Sequence, residues 1–501
     1  MATSQESSAP ATGFGKQKVS TSSSLSRQIA IPLCVDLDGT LIKTNTLHES
    51  ILALARTAPQ YLLLLPFWLM RGQAYLWRRL SQFVSLNVAL LPYRPEVIEY
   101  LKREKRANRE ITLISGAHHT LVERVARHLN LFDHCLGSDE MAHLIGEKKL
   151  SVIVHLYGKK SFDYIGDSRA DIPIWKECRR GVIAGSNMFL VAQLRKCADS
   201  YDHIEPLDKP GIRSLLKAMR VYQWAKNLLL FAAIFLGHQF NNPALIFNVL
   251  RGFAAFSLCG SAVYILNDLM DLEADRLHAR KRKRPFAAGD ISPVTGALVS
   301  AVLLLGAFAI AIPLSLSFAA TLGVYFTLAL LYTFYFKEKL LVDVFILAGL
   351  YTLRVWAGGA CTGIAISHWA LAFFMCLFLS LALAKRHSEL MASAGAEEDK
   401  PLSRRGYRPS DIPFVLALGC GSSLMSVLVI AIYLNSPDVS VHYRRPHLLW
   451  FVCPTLAYWL SRLWILMGRG QLDEDFVLFA IKDKISYLLG AIIVMIVLLA
   501  I

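Results

Sequence analysis

Charge is scarce in this chain: 18% of its 501 residues are Asp, Glu, Lys or Arg, against 54% apolar or aromatic. A wholly soluble protein carries about a quarter charged residues, so that class is excluded. Paired cysteines are missing as well. Nine cysteines are scattered singly with no C-x-x-C spacing, which excludes a disulfide framework and a thiolate metal site and leaves them as small buried apolar residues. Acidic residues are outnumbered, 38 against 53 basic, for a net charge of +15. The cations sit beside apolar runs rather than on a soluble basic domain, and no nucleic-acid module is visible. Anionic lipid and phosphorylated substrates are therefore the expected partners, with no nucleic acid. Residues 1–28 have almost no large apolar side chains and lack the continuous apolar stretch of a secretory signal. A disordered tail is expected there, with the following domain left in the cytoplasm.

What is present divides in two. Residues 29–205 mix short apolar strands with charged, amphipathic segments, as a soluble α/β domain does; a linker at 206–220 begins near Pro206 to Pro210, and apolar runs dominate 221–501. Nine spans are expected, at roughly 227–240, 245–267, 293–312, 314–335, 340–362, 367–385, 411–433, 447–467 and 484–501, the first one short. Alternate loops hold the cations: Arg213 to Lys226, Arg276 to Arg284, Lys337 and Lys339, Lys385 to Arg408, and Arg462 to Lys484. The other loops hold little beyond Arg444 and Arg445. The asymmetry predicts a multi-pass membrane protein with the soluble domain and both polar centres in the cytoplasm and the C-terminus outside, the membrane being expected to be a bacterial inner membrane.

In the soluble domain, Ile31 to Val35 ends in Asp36-Leu37-Asp38-Gly39-Thr40, Ile111 to Ile114 ends in Ser115-Gly116, and Phe162 to Ile165 ends in Gly166-Asp167-Ser168-Arg169-Ala170-Asp171. Each polar group falls at a predicted strand C-terminus, where open α/β sheets bind ligands. Lys148 and Lys149 lie between the second and third. This ordered set resembles the haloacid dehalogenase phosphatase superfamily across nearly the whole domain, implying a Rossmann-like fold with a helical cap at about 48–92. The resemblance implies Asp36 as nucleophile forming an aspartyl-phosphate, Asp38 as general acid and base, and Ser115 with Lys149, or in second place Lys148, as phosphate clamp, beside Thr40 and Gly116. Asp36, Asp167 and Asp171, with Asp38 beside them, would hold Mg²⁺. The chemistry suits these residues, because a carboxylate attacking a phosphate dianion needs positive charge to offset repulsion. Within the cap, Tyr61 to Met70 is too short to span a bilayer, and with Trp77, Arg78 and Arg79 it is expected to cover the site and touch lipid.

In the apolar half, the run Ala244 to Leu266 passes directly into Asn267-Asp268-Leu269-Met270-Asp271-Leu272-Glu273-Ala274-Asp275 and then the basic block Arg280 to Arg284. If the helix continues, Asp268, Asp271 and Asp275 share one face. Three carboxylates facing one way need a cation; Mg²⁺ with a substrate diphosphate fits, the neighbouring Lys and Arg holding the remaining phosphate charge. The plain alternative is a solvated juxtamembrane loop pinned by its positive charge. Farther on, Tyr335, Lys339 and Asp343 recur at i, i+4 and i+8, and Arg354 follows Asp343 by 11 residues, so one helix would align them. Ionisable groups at membrane depth are functional candidates, although Asp343 and Arg354 could instead form an ion pair. Lys385 and Arg386 end the sixth run.

Asn-Asp-x-x-Asp-x-x-x-Asp, the later Tyr-x-x-x-Lys-x-x-x-Asp and nine spans resemble the UbiA superfamily of intramembrane prenyltransferases, implying an all-α polytopic domain. Gln223-Trp224-Ala225-Lys226-Asn227, Asp275-Arg276-x-His278-x-x-Lys281-Arg282-x-Arg284-Pro285 and Asp475 to Asp483 look like the decaprenyl-phosphate phosphoribosyltransferase branch, apart from Ala279 where Pro is expected. That branch implies phosphoribosyl pyrophosphate as donor and a polyprenyl phosphate as acceptor. Asn267, Asp268, Asp271 and Asp275 would hold Mg²⁺, with Asp271 and Asp343 the catalytic acids. Lys281, Arg282 and Arg284 would bind the leaving diphosphate; Lys226, Tyr335, Lys339, Arg354, Lys385 and Arg386 would bind ribose or acceptor phosphate. The fusion supports this branch: phosphoribosyl transfer leaves a 5-phosphate for a phosphatase to remove, whereas aromatic prenylation leaves no phosphate monoester. The expected enzyme is bifunctional, yielding polyprenyl-phosphoryl-ribose for cell-envelope glycan, and could form a homo-oligomer. The rivals are a prenyl diphosphate donor with an aromatic or isoprenoid acceptor, and a transporter or scaffold carrying an idle phosphatase.

Overall fold

The structure is a computed structural model that describes residues 31–138, 144–206, 211–393, 406–436, 439, 443–471 and 483–501. The expected tail at 1–28, the linker start at 207–210 and Asp475 lie outside the described residues. Six strands, β1 (Leu33–Val35), β2 (Ile111–His118), β3 (His134–Ser138), β4 (Asp163–Gly166), β5 (Arg180–Ala184) and β6 (Ser200–Ile204), form one parallel sheet in the order β3-β2-β1-β4-β5-β6. Helices cover both faces, so the central strand β1 is buried throughout rather than alternating with solvent. Its Leu33 and Val35 pack with Val97, Leu101 and Leu113 on one face, while Cys34 packs with Ile114, Tyr164 and Trp175 on the other. Strand order reverses beside β1, which places the ends of β1, β2 and β4 together at a crevice.

Between β1 and β2 the chain makes helix α1 (Thr46–Thr57), a 3-10 turn at Pro59–Leu64 and two further helices at Leu65–Met70 and Gln73–Phe83. These occupy the expected cap. Trp68, Leu76 and Leu80 close its inner side, whereas Leu63, Phe67 and Met70 are exposed.

The apolar half is helical, with seven helices among the described residues long and apolar enough to cross a membrane. Two shorter apolar segments, Val221–Leu236 and Lys484–Ala500, replace the first and ninth expected spans. At 17 residues and about 1.5 Å per residue, the last reaches only about 25 Å, short of a full hydrocarbon thickness. The first winds as a 3-10 helix over Val221–Phe231 before a single α turn at Ala232–Leu236. It lies close against the helix Val342–Thr362: a Cβ on Gly358 would meet the Leu230 carbonyl oxygen at 2.1 Å, so only glycine admits this approach.

Candidate functional site

The soluble site is assembled from strand ends. Asp36 follows β1, Ser115 lies in β2 and Asp167 follows β4. Gly39 has φ +75°, and a Cβ there would lie 2.1 Å from the Asp167 carboxylate, so the turn after Asp38 requires glycine. Thr40 Oγ1 donates to Asp167 at 3.1 Å. The Lys149 Nζ stands 2.9 Å from Asp36 and 3.2 Å from the Tyr164 hydroxyl, while Lys148 faces outward. Tyr164 donates to Asp171 at 2.7 Å, and Asp171 also accepts from the amide and hydroxyl of Ser168. Ser115 is fully buried beside Gly116 and accepts from the Ala117 amide at 3.1 Å.

One carboxylate oxygen from each of Asp36, Asp167 and Asp171 lies within 4.8 Å of the others. Asp38 stands apart from this trio: it accepts from the Thr46 amide at 2.6 Å and the Thr46 hydroxyl at 3.1 Å, at the N-terminus of α1. Its expected place among the metal ligands is therefore not what the structure shows, because the helix start takes both of its oxygens. Burial pushes the Asp36 carboxyl up to about 7 despite the opposing Lys149 ammonium. Burial, Asp171 and Asp36 together push Asp167 well above the usual carboxylate range. Burial also raises Asp38, against the Thr46 hydrogen bonds. Three crowded carboxylates, two buried and one half-buried, with one lysine are short of positive charge, and their hard oxygens suit a divalent ion such as Mg²⁺. Arg94, which motif reading passed over, donates to the Gly39 carbonyl at 3.0 Å.

The membrane site departs from a continuous helix. The helix Pro243–Met270 stops at Asp271, and a new short helix runs over Leu272–Leu277. Asp268, Asp271 and Asp275 remain near one another, but each meets a cation. Asp268 is bonded by Arg220 and, at 3.1 Å, by Arg284; the same Arg284 atom lies 2.7 Å from Asp275. Lys337 donates to Asp271 at 2.7 Å. Among the described residues these acids do not bring three carboxylate oxygens within 4.8 Å of one another, so the shared cation site expected from helix phase is not formed in this arrangement. Asn267 is half-buried ahead of Asp268, and Lys281 and Arg282 are exposed.

Tyr335, Lys339 and Asp343 do not share a helix either. Tyr335 ends the helix Leu316–Phe334, a 3-10 turn follows, and the next helix begins at Val342. Tyr335 is exposed, with the Lys339 ammonium 5.1 Å from its ring centre. Asp343 is fully buried and accepts from Arg386 at 2.6 Å and Tyr407 at 2.7 Å, and Arg386 also reaches Glu389. Lys385 is half-buried beside them. Asp343 and Arg354 therefore form no mutual pair. Arg354 donates to Asn227 at 2.9 Å, Tyr325 at 2.8 Å and the Leu350 carbonyl at 2.6 Å, under the rings of Tyr325 and Tyr351. Lys226 stands on Tyr351 from another side and borders an apolar cavity of about 730 Å³ lined by Phe231, Phe235, Phe373, Phe374 and Phe378. Arg220, Asn227, Tyr325 and Lys337 were invisible to motif reading as partners of these groups.

The two sites meet along one seam. Arg276 donates twice to Glu49 of α1, at 2.6 and 3.0 Å, Arg56 pairs with Glu273, and Lys43 lies 3.3 Å from Asp290.

The UbiA prenyltransferase family matches residues 228–488, and the haloacid dehalogenase-like hydrolase family matches residues 33–176. The uncharacterized protein y4nM of Sinorhizobium fredii is 36% identical over 92% of this chain and 90% of its own length. The decaprenyl-phosphate phosphoribosyltransferase of Corynebacterium glutamicum is 36% identical over 42% of this chain and 65% of its own. A UbiA homolog from Archaeoglobus fulgidus, solved with GPP and Mg²⁺, covers 57% of this chain and 99% of its own at 17% identity and a TM-score of 0.43. The chain belongs to the UbiA prenyltransferase family, with a haloacid dehalogenase-like hydrolase domain ahead of its multi-pass membrane domain.

Proposed function

We propose that the membrane domain transfers 5-phosphoribosyl from phosphoribosyl pyrophosphate to a polyprenyl phosphate, and that the soluble domain then removes the 5-phosphate to leave polyprenyl-phosphoryl-ribose. The observation that carries this reading is the seam: ion pairs join a haloacid dehalogenase-like hydrolase domain to the segment bearing the acidic motif of the membrane domain. Likeness to decaprenyl-phosphate phosphoribosyltransferases supports the choice of donor and acceptor.

In the first step an oxygen of the lipid phosphate attacks the anomeric carbon as pyrophosphate leaves, so positive charge around the leaving group matters most. Arg220, Arg284 and Lys337, already drawn to Asp268, Asp271 and Asp275, supply it. Once the donor diphosphate draws Arg220, Arg284 and Lys337 off these acids, the acids with Asn267 would be free to turn toward Mg²⁺ on the donor, and the phenylalanine-lined cavity beside Lys226 suits an isoprenoid chain with its phosphate at the ammonium. In the second step an Asp36 oxygen attacks the 5-phosphate, Asp38 protonates the departing ribose oxygen and then takes a proton from the water that hydrolyses the aspartyl-phosphate. Lys149 holds phosphate charge beside Asp36, with Ser115 in the adjoining strand. Mg²⁺ held by Asp36, Asp167 and Asp171 would offset the repulsion between carboxylate and phosphate.

The test is incubation of purified protein and Mg²⁺ with radiolabelled phosphoribosyl pyrophosphate and polyprenyl phosphate, with lipid products resolved by chromatography and mass. Wild type is expected to give polyprenyl-phosphoryl-ribose, Asp36→Asn the 5-phosphorylated precursor and Asp271→Asn no labelled lipid. Label absent from lipid with an active preparation would shift the reading to a prenyl diphosphate donor.

A further inference from the structure

Helix α1 presents two working faces. Glu49, Leu52 and Arg56 follow at i, i+3 and i+7, and all three point to the membrane domain. Glu49 accepts from both terminal nitrogens of Arg276, Leu52 packs into the cluster of Ala218, Ile265, Leu269 and Phe286, and Arg56 pairs with Glu273. The Glu49–Arg276 pair is almost fully enclosed, with side chains 4% and 8% exposed. At the start of the same helix Thr46 holds both oxygens of Asp38, and Leu54 is fixed in the cap core. On the membrane side, Glu273 and Arg276 are interleaved with Asp271 and Asp275 in one short stretch. A second contact flanks this one, where Gly289 and Asp290 pack against Lys43 in the turn after Gly39.

We propose that the Glu49–Arg276 pair is a positioning element for hydrolysis: through α1 it sets where Thr46 holds Asp38, so the phosphatase works fully only when seated on the acidic segment of the membrane domain. This rests on the phosphatase reading above. A rigid helix of 12 residues carries a displacement at Glu49 to Thr46 less than one turn away. Asp38 must meet the departing oxygen at hydrogen-bond distance, and a misplacement of about 1 Å there costs up to about 100-fold in rate. The arrangement ties hydrolysis to the place where the phosphorylated lipid is made.

Full-length protein in lipid nanodiscs with Mg²⁺ is assayed for phosphate release from ribose 5-phosphate. Glu49→Gln and Arg276→Gln are each expected to lower kcat by about 10- to 100-fold with KM within about threefold of wild type. The charge-reversed double variant Glu49→Arg/Arg276→Glu is expected to recover most of that loss, which a nonspecific packing defect would not do. Single variants with wild-type kcat, or a defect confined to KM, overturn the proposal if Asp36→Asn is inactive in the same assay. Absence of hydrolysis by wild type overturns the phosphatase reading instead. If a variant at the enclosed pair fails to fold, Arg56→Ala and Glu273→Ala at the more open neighbouring pair carry the test. There a fall in kcat of about two- to threefold is expected, and unchanged kcat overturns the proposal.

Discussion

Arg354 permits a separation of stability from transfer. It is 6% exposed in a helix long and apolar enough to cross the membrane, and among the described residues no carboxylate pairs with it. Burying arginine at the centre of such a helix costs about 2.5–3.5 kcal/mol. Hydrogen bonds to Asn227, Tyr325 and Leu350 offset about 1 kcal/mol each, and the two ring faces add about 0.5–2 kcal/mol each. The offsets come to about 4–7 kcal/mol and exceed the cost by about 0.5–4.5 kcal/mol, so the pocket accommodates the cation with a modest surplus. Arg354→Met removes the buried charge but leaves the acceptors of Asn227 and Tyr325 unmatched, at about 1–3 kcal/mol each, for a net loss of about 2 kcal/mol. Adding Asn227→Leu removes one orphaned acceptor and is expected to recover about half of that loss. Transfer is expected to fall about 100-fold or more in both variants, since both lose the buried cation proposed to bind ribose or acceptor phosphate. Thermal unfolding of the purified protein reads the first quantity, and label transfer from phosphoribosyl pyrophosphate to lipid reads the second. A double variant that regains stability and wild-type transfer together would refute the argument and make Arg354 a packing residue.

Other expectations follow from single contacts. Lys337→Ala, which strips the cation from Asp271, should raise the donor KM about tenfold or more, whereas Lys339→Ala, on an exposed ring, should change it less than about threefold; initial rates against donor concentration decide. Gly39→Ala forces a methyl into Asp167 and should abolish phosphate release while label transfer to lipid persists, with the 5-phosphorylated product accumulating in the mass spectrum. Chelation with EDTA should silence phosphate release, and added Mg²⁺ should restore it in wild type but only at a raised concentration in Asp167→Asn, as a titration of rate against Mg²⁺ will show.

Sequence reading reached furthest where the relevant residues belong to strand ends. Asp36, Ser115 and Asp167 each follow a short apolar run, and a parallel sheet brings such ends together by topology alone. Spacing could not separate Lys148 from Lys149; helix phase does, because Lys149 shares the buried face with Ile153 four residues on. In the membrane domain the limit is different. The break at Asp271 carries no glycine or proline, so composition did not announce it, and the same holds between Phe334 and Val342. Partners such as Arg220 for Asp268 and Asn227 for Arg354 lie 48 and 127 residues away, where no periodic signal reaches. The residue types at both sites were legible, and their pairing was not.

The position of the cap follows from the same seam. Its inner side is closed by Trp68, Leu76 and Leu80, yet Phe67 is 65% and Met70 84% exposed, with Arg71 next in the chain. A soluble enzyme with a small soluble substrate has no use for such a rim, which invites aggregation. On a domain docked through α1 to a membrane protein, exposed aromatic and aliphatic side chains beside arginine are the composition of an interfacial contact. A phosphomonoester carried on a polyprenyl chain cannot leave the bilayer, because each buried methylene holds it by about 0.8 kcal/mol. Under the proposed function the hydrolase must be brought to that lipid, and the ion pairs along α1 together with the apolar rim of the cap are placed to do so from two sides.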